Sequence, residues 1–434
     1  MTAHSSLANR RRKDWLKFLE DTARDGYLFS LPLVVMEDIR QKRIKKKGMN
    51  EWLHSKKLLN ANSRVVTMPN NDTLYSDAWL DLTSGPVTIK VPAIIDRYYS
   101  LALMDYYTNN FEIISSRTIG ALGGEFNIYP PLSDIPDGDN SAIRSPTPYV
   151  WALVRILIDG DEDLDEVRAL QDQFEISAKE TGHHPESIES NRLSEWNEYF
   201  EASNLLIRCN YPRASDRGII SRLAVAGLGD GSGFDPLSFG DEEREAIAKG
   251  VKKARDALDS IQAQYEMRSD GWSYFSGAIG DFRNKYSLRA AVAIHSLAAL
   301  VPEEATYMRS YNEQGGEYLD GRQNWRLHFS ADKLPPVEAF WSLTLYEPTG
   351  EGLFFFYENS ENRYAIGDRT KELSYNQDGS LDLYIGNQDP GVSKRSNWLP
   401  GPSGPFVLLF RAYLAKPEMI SGVYFLPRIE KVQR

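Results

Sequence analysis

The period of hydrophobicity changes twice along the chain, near Asp159 and near Tyr307, and no other feature constrains the fold as much. From Val65 to about Ile158, short apolar runs such as "TLYSDAWLDL", "PVTIKVP" and "YVWALVRILI" are separated by Gly, Pro, Asn and Asp, which is typical of antiparallel strands. Between the two changes, apolar residues recur every three or four positions, as in helices. After the second change, strand-like runs return.

A chain of 434 residues is longer than one hydrophobic core usually organises. We therefore predict an α+β fold with two antiparallel β-sandwich or jelly-roll-like modules joined by a helical segment. The predicted domains are an N-terminal helical segment (1–58), an N-terminal β module (59–160), a helical linker region (161–304) and a C-terminal jelly-roll-like β module (305–434). The first helix is expected to break or bend near Pro32. The clearest helix is predicted from about Asp241 to Tyr265.

Charge and hydropathy narrow the range of partners. The formal net charge of −11 disfavours nucleic acid, because binding its phosphates requires neutralising basic residues. The apolar run "YLFSLPLVVM" is too short to span a bilayer, and the N-terminal stretch shows no apolar core of a signal peptide. We expect a cytoplasmic protein with a small-molecule ligand and no membrane span, and a homo-oligomer stays open.

Four aspartates at alternate positions have the spacing of a calcium loop. They are Asp159, Asp161, Asp163 and Asp165. However, Leu164 stands where the sharp-turn glycine belongs and Leu170 where the bidentate glutamate belongs. The aspartates also suit the first turn of a helix, so we favour a helix cap, provided by Asp161 or Asp163.

Signatures of other metal and cofactor sites are weak. His183 and His184 are adjacent, so their side chains point apart on regular structure, and neither H-x-H nor H-E-x-x-H occurs. The sequence contains no G-x-S-x-G motif, and its glycine-rich loop "GDGSGF" has no lysine for phosphate. We therefore predict neither a metal nor a cofactor.

The stretch "NNDTLYSDAWLDL" carries more polar groups than a core strand requires. On a strand, Leu74, Ser76, Ala78, Leu80 and Leu82 share the face expected to be core. The other face is aromatic and acidic and could hold a polar ligand. Alternatively, the three residues that precede the strand, 70–72, form a turn whose side chains bond their own backbone.

Site residues are predicted at both ends of the chain. Asp72 and Asp105 are the candidate acid and base, because paired carboxyls with separated pKa values can transfer protons. The predicted binding residues are Asn71, Tyr75, Arg97, Arg117, Trp341, Asn397, Trp398 and Arg411. Arg411 lies in the apolar run "VLLFRAY", where an arginine must be paired, snorkel or point into a cleft. We expect Asn71, Asp72 and Tyr75 to face a pocket shared with the C-terminal module.

The order of motifs resembles a widespread family. The motifs are "MPNNDTLYSDAWLDL" and "YYSLALMDYYTNNFEIISSRTIG" in the first half, and "AFWSLTLY", "NRYAIGDRT" and "NWLPGPSGPFVLLFRAY" in the second. The halves of this family are domains of unknown function numbered twelve-fifty-four and twelve-fourteen. The resemblance implies two β-rich modules, the second jelly-roll-like, flanked and joined by helices, and it brings no established reaction.

Two functions remain open from the sequence. The first is a cofactor-independent enzyme, hydrolase- or lyase-like, that acts on a small polar or carbohydrate-like molecule between the β modules. The second is a non-catalytic ligand-binding or scaffolding protein, in which the same motifs fix turns and module contacts.

Overall fold

The computed structural model describes residues 2–64, 67–179, 188–189, 191–229, 233–275, 277–311, 318–350 and 353–432. Within these ranges the strands form four sheets, and all but two of the strand pairs are antiparallel. Helices cover the N-terminus and most of the middle of the chain. The prediction of a mixed α+β chain is therefore confirmed.

A long N-terminal helix is the centre of the helical part. The helices are α1 (Thr2–Ile44), α2 (Leu164–Gln171), α3 (Trp196–Cys209), α4 (Arg217–Leu223), α5 (Asp241–Ile261), α6 (Tyr286–His295) and α7 (Pro417–Ile420). Helix α1 continues through Pro32, so of the predicted break or bend the break does not occur. Leu31 and Leu33, on either side, are fully buried, and such packing offsets the roughly 3 kcal/mol that a proline costs inside a helix. In the described part of the chain, no helix is long and apolar enough to cross a membrane.

Helix α5 packs closely on α1. Its buried face includes Ile247, Val251 and Leu258, which is the face that the spacing of apolar residues predicts. Gly250 lies on the same side, and a Cβ atom there would stand 2.2 Å from the carbonyl oxygen of Glu20 in α1. The glycine therefore sets how closely the two helices approach.

Two sheets, I and II, form the N-terminal β module. The strands are β1 (Leu53–His54), β2 (Thr73–Asp81), β3 (Val87–Val91), β4 (Tyr99–Met104), β5 (Asn110–Ser115), β6 (Gly124–Tyr129), β7 (Ala142–Arg144), β8 (Tyr149–Leu157) and β9 (Glu175–Ala178). Sheet I has the order β1-β2-β8-β4-β5, and sheet II has the order β7-β6-β3-β9. Leu80 and Val154 of sheet I share a core with Ile89 and Ile128 of sheet II.

The C-terminal β module also contains two sheets, III and IV. Its strands are β10 (Met267–Ser269), β11 (Trp272–Tyr274), β12 (Ala305–Ser310), β13 (Leu319–Asp320), β14 (Asn324–Phe329), β15 (Val337–Pro348), β16 (Phe354–Phe356), β17 (Ala365–Gly367), β18 (Leu381–Gly386), β19 (Trp398–Pro400), β20 (Pro405–Ala415) and β21 (Ile429–Val432). Sheet III follows the path β10-β11-β12-β20-β15-β16, with β13 beside β20 and β17 beside β15. Sheet IV has the order β19-β18-β14-β21. Leu343 and Phe410 of sheet III share a core with Leu327 and Leu383 of sheet IV.

Sheets I and III contact each other across the two modules. Tyr98, which precedes β4, and Leu157 of sheet I form one apolar cluster with Phe340 and Tyr413 from sheet III. The rings of Phe340 and Tyr413 are stacked, with centroids 4.2 Å apart. This cluster brings the start of β2 beside the middle of β15 and β20, where polar residues of both modules meet.

Candidate functional site

The segment before β2 crosses from one module to the other. The side-chain oxygen of Asn70 accepts the backbone N–H of Asp72 over 2.9 Å, which is the turn bond expected of an asparagine in this position. Its amide nitrogen donates to the hydroxyl of Tyr413 over 2.8 Å. Asn70 therefore fixes the turn and also attaches it to the C-terminal module.

Asp72 points at the C-terminal module. Ser342 in β15 donates a hydrogen bond from Oγ to Oδ2 of Asp72 over 2.6 Å. Burial raises the pKa of Asp72, and neither the nearby charge of Arg411 nor the bond from Ser342 fully offsets this effect. A carboxyl group held in this way can exchange a proton closer to neutral pH than an exposed aspartate does.

Arg411 is buried in β20, and of the three arrangements open to an arginine in an apolar strand it is paired by hydrogen bonds. Its guanidinium donates to the hydroxyl oxygens of Thr344 and Tyr346, each over 2.8 Å. It also donates to the carbonyl oxygen of Met68 over 3.1 Å. These three acceptors are neutral. The carboxylate that interacts with the charge of Arg411 is that of Asp72.

A cleft of about 1040 Å³ lies between the modules, and Asp72 is part of its wall. The N-terminal module contributes Asn71, Asp72 and Leu157, and the C-terminal module contributes Phe340 and Ser342 among others. A smaller pocket of about 380 Å³ lies on the N-terminal module alone, and the cationic side chain in its wall, Lys90, is paired with Glu175. The larger cleft has the buried titratable group, so it is the candidate site.

Asn71 lines the cleft next to Asp72. Its Oδ1 atom is buried, and none of the described residues donates a hydrogen bond to it. Such an acceptor is costly to leave unpaired, so it favours a ligand that brings a donor.

Two ion pairs join the modules across the mouth of the cleft. Arg369, after β17, pairs with Asp159, after β8, with 2.7 Å between Nε and Oδ1. Lys371 pairs with Glu162 in the same manner. All four residues line the cleft. We call this set the clasp.

Asp368 is a second titratable group beside the cleft, and we did not predict it from the sequence. Its Oδ1 atom accepts the backbone N–H of Trp341 over 3.1 Å. Although Asp368 is exposed, surrounding protein atoms restrict its hydration enough to raise its pKa to about 6, and the charge of Asp72 adds to the rise. Gly367 precedes it, and a Cβ atom there would stand 2.1 Å from the carbonyl oxygen of Trp341. The glycine therefore allows this loop to lie against β15.

Tyr75 lies on β2 opposite Arg155 of β8, and the guanidinium stands 5.4 Å from the centre of its ring. Burial would raise the pKa of Tyr75, but the charges of Arg155 and Arg411 and bonds from neighbouring polar groups outweigh it, so the pKa is lowered. Further along the same face of β2, the side chains are covered by other parts of the fold or packed in the core. Asp77 pairs with Arg43 of α1 over 2.7 Å, and Trp79 is fully buried.

Asp105 is not brought to the cleft. It is fully buried and accepts hydrogen bonds from the backbone N–H groups of Tyr107 and Asn109 and from the guanidinium of Arg213. This is the arrangement of a turn anchored to the helical part. Asp72 and Asp105 therefore share no hydrogen-bonding partner.

The two arginines predicted near Asp105 also have separate partners. Arg97 contacts Asp163 over 2.6 Å and Glu166 over 2.9 Å. Arg117 contacts the fully buried Glu304 over 2.8 Å. Both arrangements are ion pairs that connect elements of the fold.

Asp163 precedes α2, where a helix cap was expected, but its side chain makes no cap hydrogen bond. Its Oδ2 atom accepts the backbone N–H of Asp159 over 2.9 Å instead, and the guanidinium of Arg97 donates to the same oxygen. Among the residues with described positions, no group of three or more His, Cys, Asp or Glu side chains could hold a metal ion. His183 and His184 lie outside the described residues.

Of the predicted C-terminal residues, Trp341 lines the cleft, whereas Asn397, Trp398 and Arg411 do not. Asn397 bonds to backbone groups of Ser374 and Asp382. The indole of Trp398 donates to the carbonyl oxygen of Gly386 over 3.0 Å. Asn397 and Trp398 therefore hold the loops around sheet IV.

Together, the fold and the cleft define a two-module α+β protein whose candidate site lies between its β modules. Residues 49–178 match the family model described as Protein of unknown function (DUF1254), and residues 304–417 match the one described as Protein of unknown function (DUF1214). The chain belongs to the family that combines these two domains, which confirms the resemblance seen in its motifs.

Two crystal structures are similar to this chain. The VPA0106 protein from Vibrio parahaemolyticus is 24% identical, with 96% of this chain and 100% of that chain covered and a TM-score of 0.72, and this likeness shows the fold alone. An uncharacterised protein from Burkholderia cenocepacia is 12% identical over 98% of each chain, with a TM-score of 0.46. No curated protein matches the chain.

Proposed function

We propose that the cleft binds a small polar or carbohydrate-like molecule and that Asp72 transfers a proton to or from it. The observation that carries this proposal is the bond between Ser342 and Asp72, because it places a buried carboxyl of one module against a strand of the other within a shared cleft. The activity would be that of a cofactor-independent enzyme, hydrolase- or lyase-like.

The acceptor groups of the cleft support a ligand with several hydroxyl groups. Asn71 offers a buried oxygen without a donor among the described residues, and Asp72 accepts through Oδ2 from Ser342. A ligand with several O–H donors can satisfy such acceptors, whereas an apolar ligand would leave them unpaired.

Asp368 supplies a second group for acid–base chemistry. Its pKa of about 6 lies close to neutral pH, where a general base is most effective. The charge of Asp72 adds to the rise of the Asp368 pKa, so the two carboxyls can differ in protonation. We propose Asp72 and Asp368, rather than Asp72 and Asp105, as the acid and base.

A non-catalytic ligand-binding or scaffolding function is the second proposal, and a specific observation favours it. Five of the predicted site residues have hydrogen-bonding or ion-pair partners that explain their presence structurally. They are Asp105, Arg97, Arg117, Asn397 and Trp398. The jelly-roll-like form of the modules, the cytoplasmic location and a homo-oligomer also remain proposals.

A turnover experiment separates the two functions. The protein is incubated with a complex mixture of small polar metabolites, and untargeted mass spectrometry records which are consumed. An enzyme depletes at least one compound and forms a product, and both Asp72→Asn and Asp368→Asn abolish the conversion. A compound that is retained by the protein but never converted supports the non-catalytic function.

A further inference from the structure

Arg155 is a buried cation whose guanidinium is only partly satisfied. It lies in the apolar strand β8 and is 6% exposed. Its Nη2 atom donates to the carbonyl oxygen of Ala298 over 2.6 Å. Its Nη1 atom is buried and has no acceptor among the described residues. Among the residues that the structure describes, no carboxylate lies within ion-pair distance of Arg155.

The surroundings of Arg155 are phenols rather than acids. The charged form of Arg155 is influenced by the hydroxyl groups of Tyr75, Tyr307, Tyr413 and Tyr98. The charge of a second buried arginine, Arg411, also influences the pKa of three of these tyrosines, which are Tyr75, Tyr307 and Tyr413.

Two carboxylates lie near this group, and both already have partners. Asp72 is bonded to Ser342 and is influenced by Arg411. Glu304 is bonded to Tyr98, Ser115 and Arg117. Neither carboxylate is therefore bonded to Arg155, and a buried guanidinium without a carboxylate partner is unfavourable.

Another buried arginine shows how the same chain compensates such a charge. Arg289 of α6 is 2% exposed, has an unpartnered Nε atom, and lies over the rings of Phe29 and Tyr107. In contrast to Arg155, its charge is opposed by two nearby carboxylates, Asp105 and Asp216. Arg289 thus has two carboxylates near its charge, and among the described residues Arg155 has none within ion-pair distance.

Two tyrosines beside Arg155 keep part of their surface exposed. Tyr75 and Tyr307 flank it and are only half-buried, so solvent reaches this part of the interface. We infer that Arg155, with the hydroxyl groups of Tyr75 and Tyr307, binds the carboxylate group of a small molecule. A guanidinium with a free edge matches the planar carboxylate geometrically. The lowered pKa of Tyr75 agrees with an excess of positive charge at this position.

This inference is independent of catalysis in the cleft, because binding alone tests it. Melting temperatures of the wild type are measured with increasing sodium acetate, and with sodium chloride or sodium phosphate at matched ionic strength. Acetate should raise the melting temperature of the wild type by a few degrees beyond the two other salts. Equal shifts with all three salts, or a larger shift with phosphate, would overturn the carboxylate site.

Two variants locate the effect. Arg155→Met should lose the acetate-specific shift, whereas the matched control Arg289→Met should keep it. Retention of the shift in Arg155→Met contradicts the proposal. If Arg155→Met does not fold, the phenolate absorbance of the wild type and Tyr75→Phe provides a second measurement. Acetate bound to Arg155 should reduce phenolate absorbance in the wild type and leave Tyr75→Phe unchanged, and equal changes in both proteins reject the site.

Discussion

Ser342 donates a hydrogen bond to Asp72 over 2.6 Å, and the two residues are 270 positions apart in the chain. The bond joins the segment before the first long strand of the N-terminal module to the longest strand of the C-terminal module. It also fixes the orientation of a carboxyl group in the cleft wall. The site therefore exists only when both modules are folded and docked.

The two partners of this bond should differ in their effect on stability. Ser342→Ala removes the donor and leaves a buried carboxylate unpaired, so the free energy of unfolding should fall by about 1–3 kcal/mol. Asp72→Asn removes a charge that burial disfavours and keeps an acceptor oxygen, so its unfolding free energy should change by less than about 1 kcal/mol at neutral pH. Urea unfolding of both variants measures this. A larger loss in Asp72→Asn than in Ser342→Ala would contradict the account.

Asp368 should make stability depend on pH. Its pKa in the folded protein, about 6, is above the ordinary value of 3.8, so the folded state binds the proton more tightly than the unfolded chain does. Its contribution to stability is complete below about pH 3.8 and is lost as the pH rises to about 6. The melting temperature of the wild type relative to Asp368→Asn should therefore fall across this range and stay constant above it.

Asp378 provides a control of opposite sign for this pH series. Its pKa is lowered by hydrogen bonds from the hydroxyl and the backbone N–H of Ser380. The contribution of Asp378 to stability is present at pH values above its ordinary pKa. This contribution is lost as the pH falls through the pKa of the folded state. Relative to Asp378→Asn, the wild type should therefore lose stability on acidification. The same direction of change for both aspartates would contradict the assigned environment of Asp368.

The clasp should stabilise the docked modules weakly and in a salt-dependent way. Arg369→Glu places a like charge against Asp159, and the free energy of unfolding should fall by less than about 1 kcal/mol at low salt, because both groups are partly exposed. Adding Asp159→Arg should restore the lost free energy of unfolding. A high salt concentration should remove the difference between Arg369→Glu and the wild type. A double-mutant cycle by urea unfolding tests this, and an absence of coupling between the two positions would refute the clasp.

Asp105 should matter for stability and not for the cleft. Asp105→Asn weakens the bond to Arg213 and places an amide group against backbone donors, which should lower the free energy of unfolding by about 2 kcal/mol. The loss is smaller than for a fully buried pair, because Arg213 keeps 33% of its side-chain surface exposed. Thermal melts measure the stability, and a titration with any ligand of the cleft should give an unchanged affinity.

Local patterns in the sequence were sufficient for the elements themselves. The spacing of Ile247, Val251 and Leu258 predicted the buried face of α5, and the alternation in β2 correctly placed Leu74 and Leu80 in the core. These predictions succeed because the period of side chains along an element is set by its backbone geometry.

Partners distant in the sequence could not be predicted in this way. An Asp-Gly dipeptide ahead of alternating apolar residues, as at Asp378-Gly379, favours a hairpin, and Gly379 does adopt the positive φ of 82° that a tight turn requires. However, the following strand, β18, pairs with β14 and β19 rather than with the segment before the turn. Similarly, α1 covers the acidic face of β2 through Arg43, which no local pattern around Asp77 indicates.

For the site, the chemistry of a buried charge was the most informative signal. An arginine in an apolar strand drew attention to Arg411, which has hydrogen-bonding partners at the interface, and the same argument applied to "WALVRILI" would have found Arg155. Asp368 gives no such signal, because an aspartate after a strand is common in turns. Its importance depends on Trp341 and Asp72, which only the folded chain brings near.

The most direct test of the candidate site is a binding screen that compares three proteins. Small polar molecules, including sugars and polyols, are screened by thermal shift against the wild type, Asp72→Asn and Asp256→Asn. Asp256 serves as the matched control, because it pairs with Lys252 on the exposed side of α5 and is not part of the cleft.

If the cleft is the ligand site, compounds that raise the melting temperature of the wild type should do so in Asp256→Asn and fail in Asp72→Asn, whose unliganded melting temperature should be close to that of the wild type. Compounds that stabilise Asp72→Asn as well as the wild type would contradict a role of Asp72 in binding. The contradiction would be strongest if Asp72→Asn also lost about 1 kcal/mol or more of unfolding free energy, since its side chain would then be purely structural.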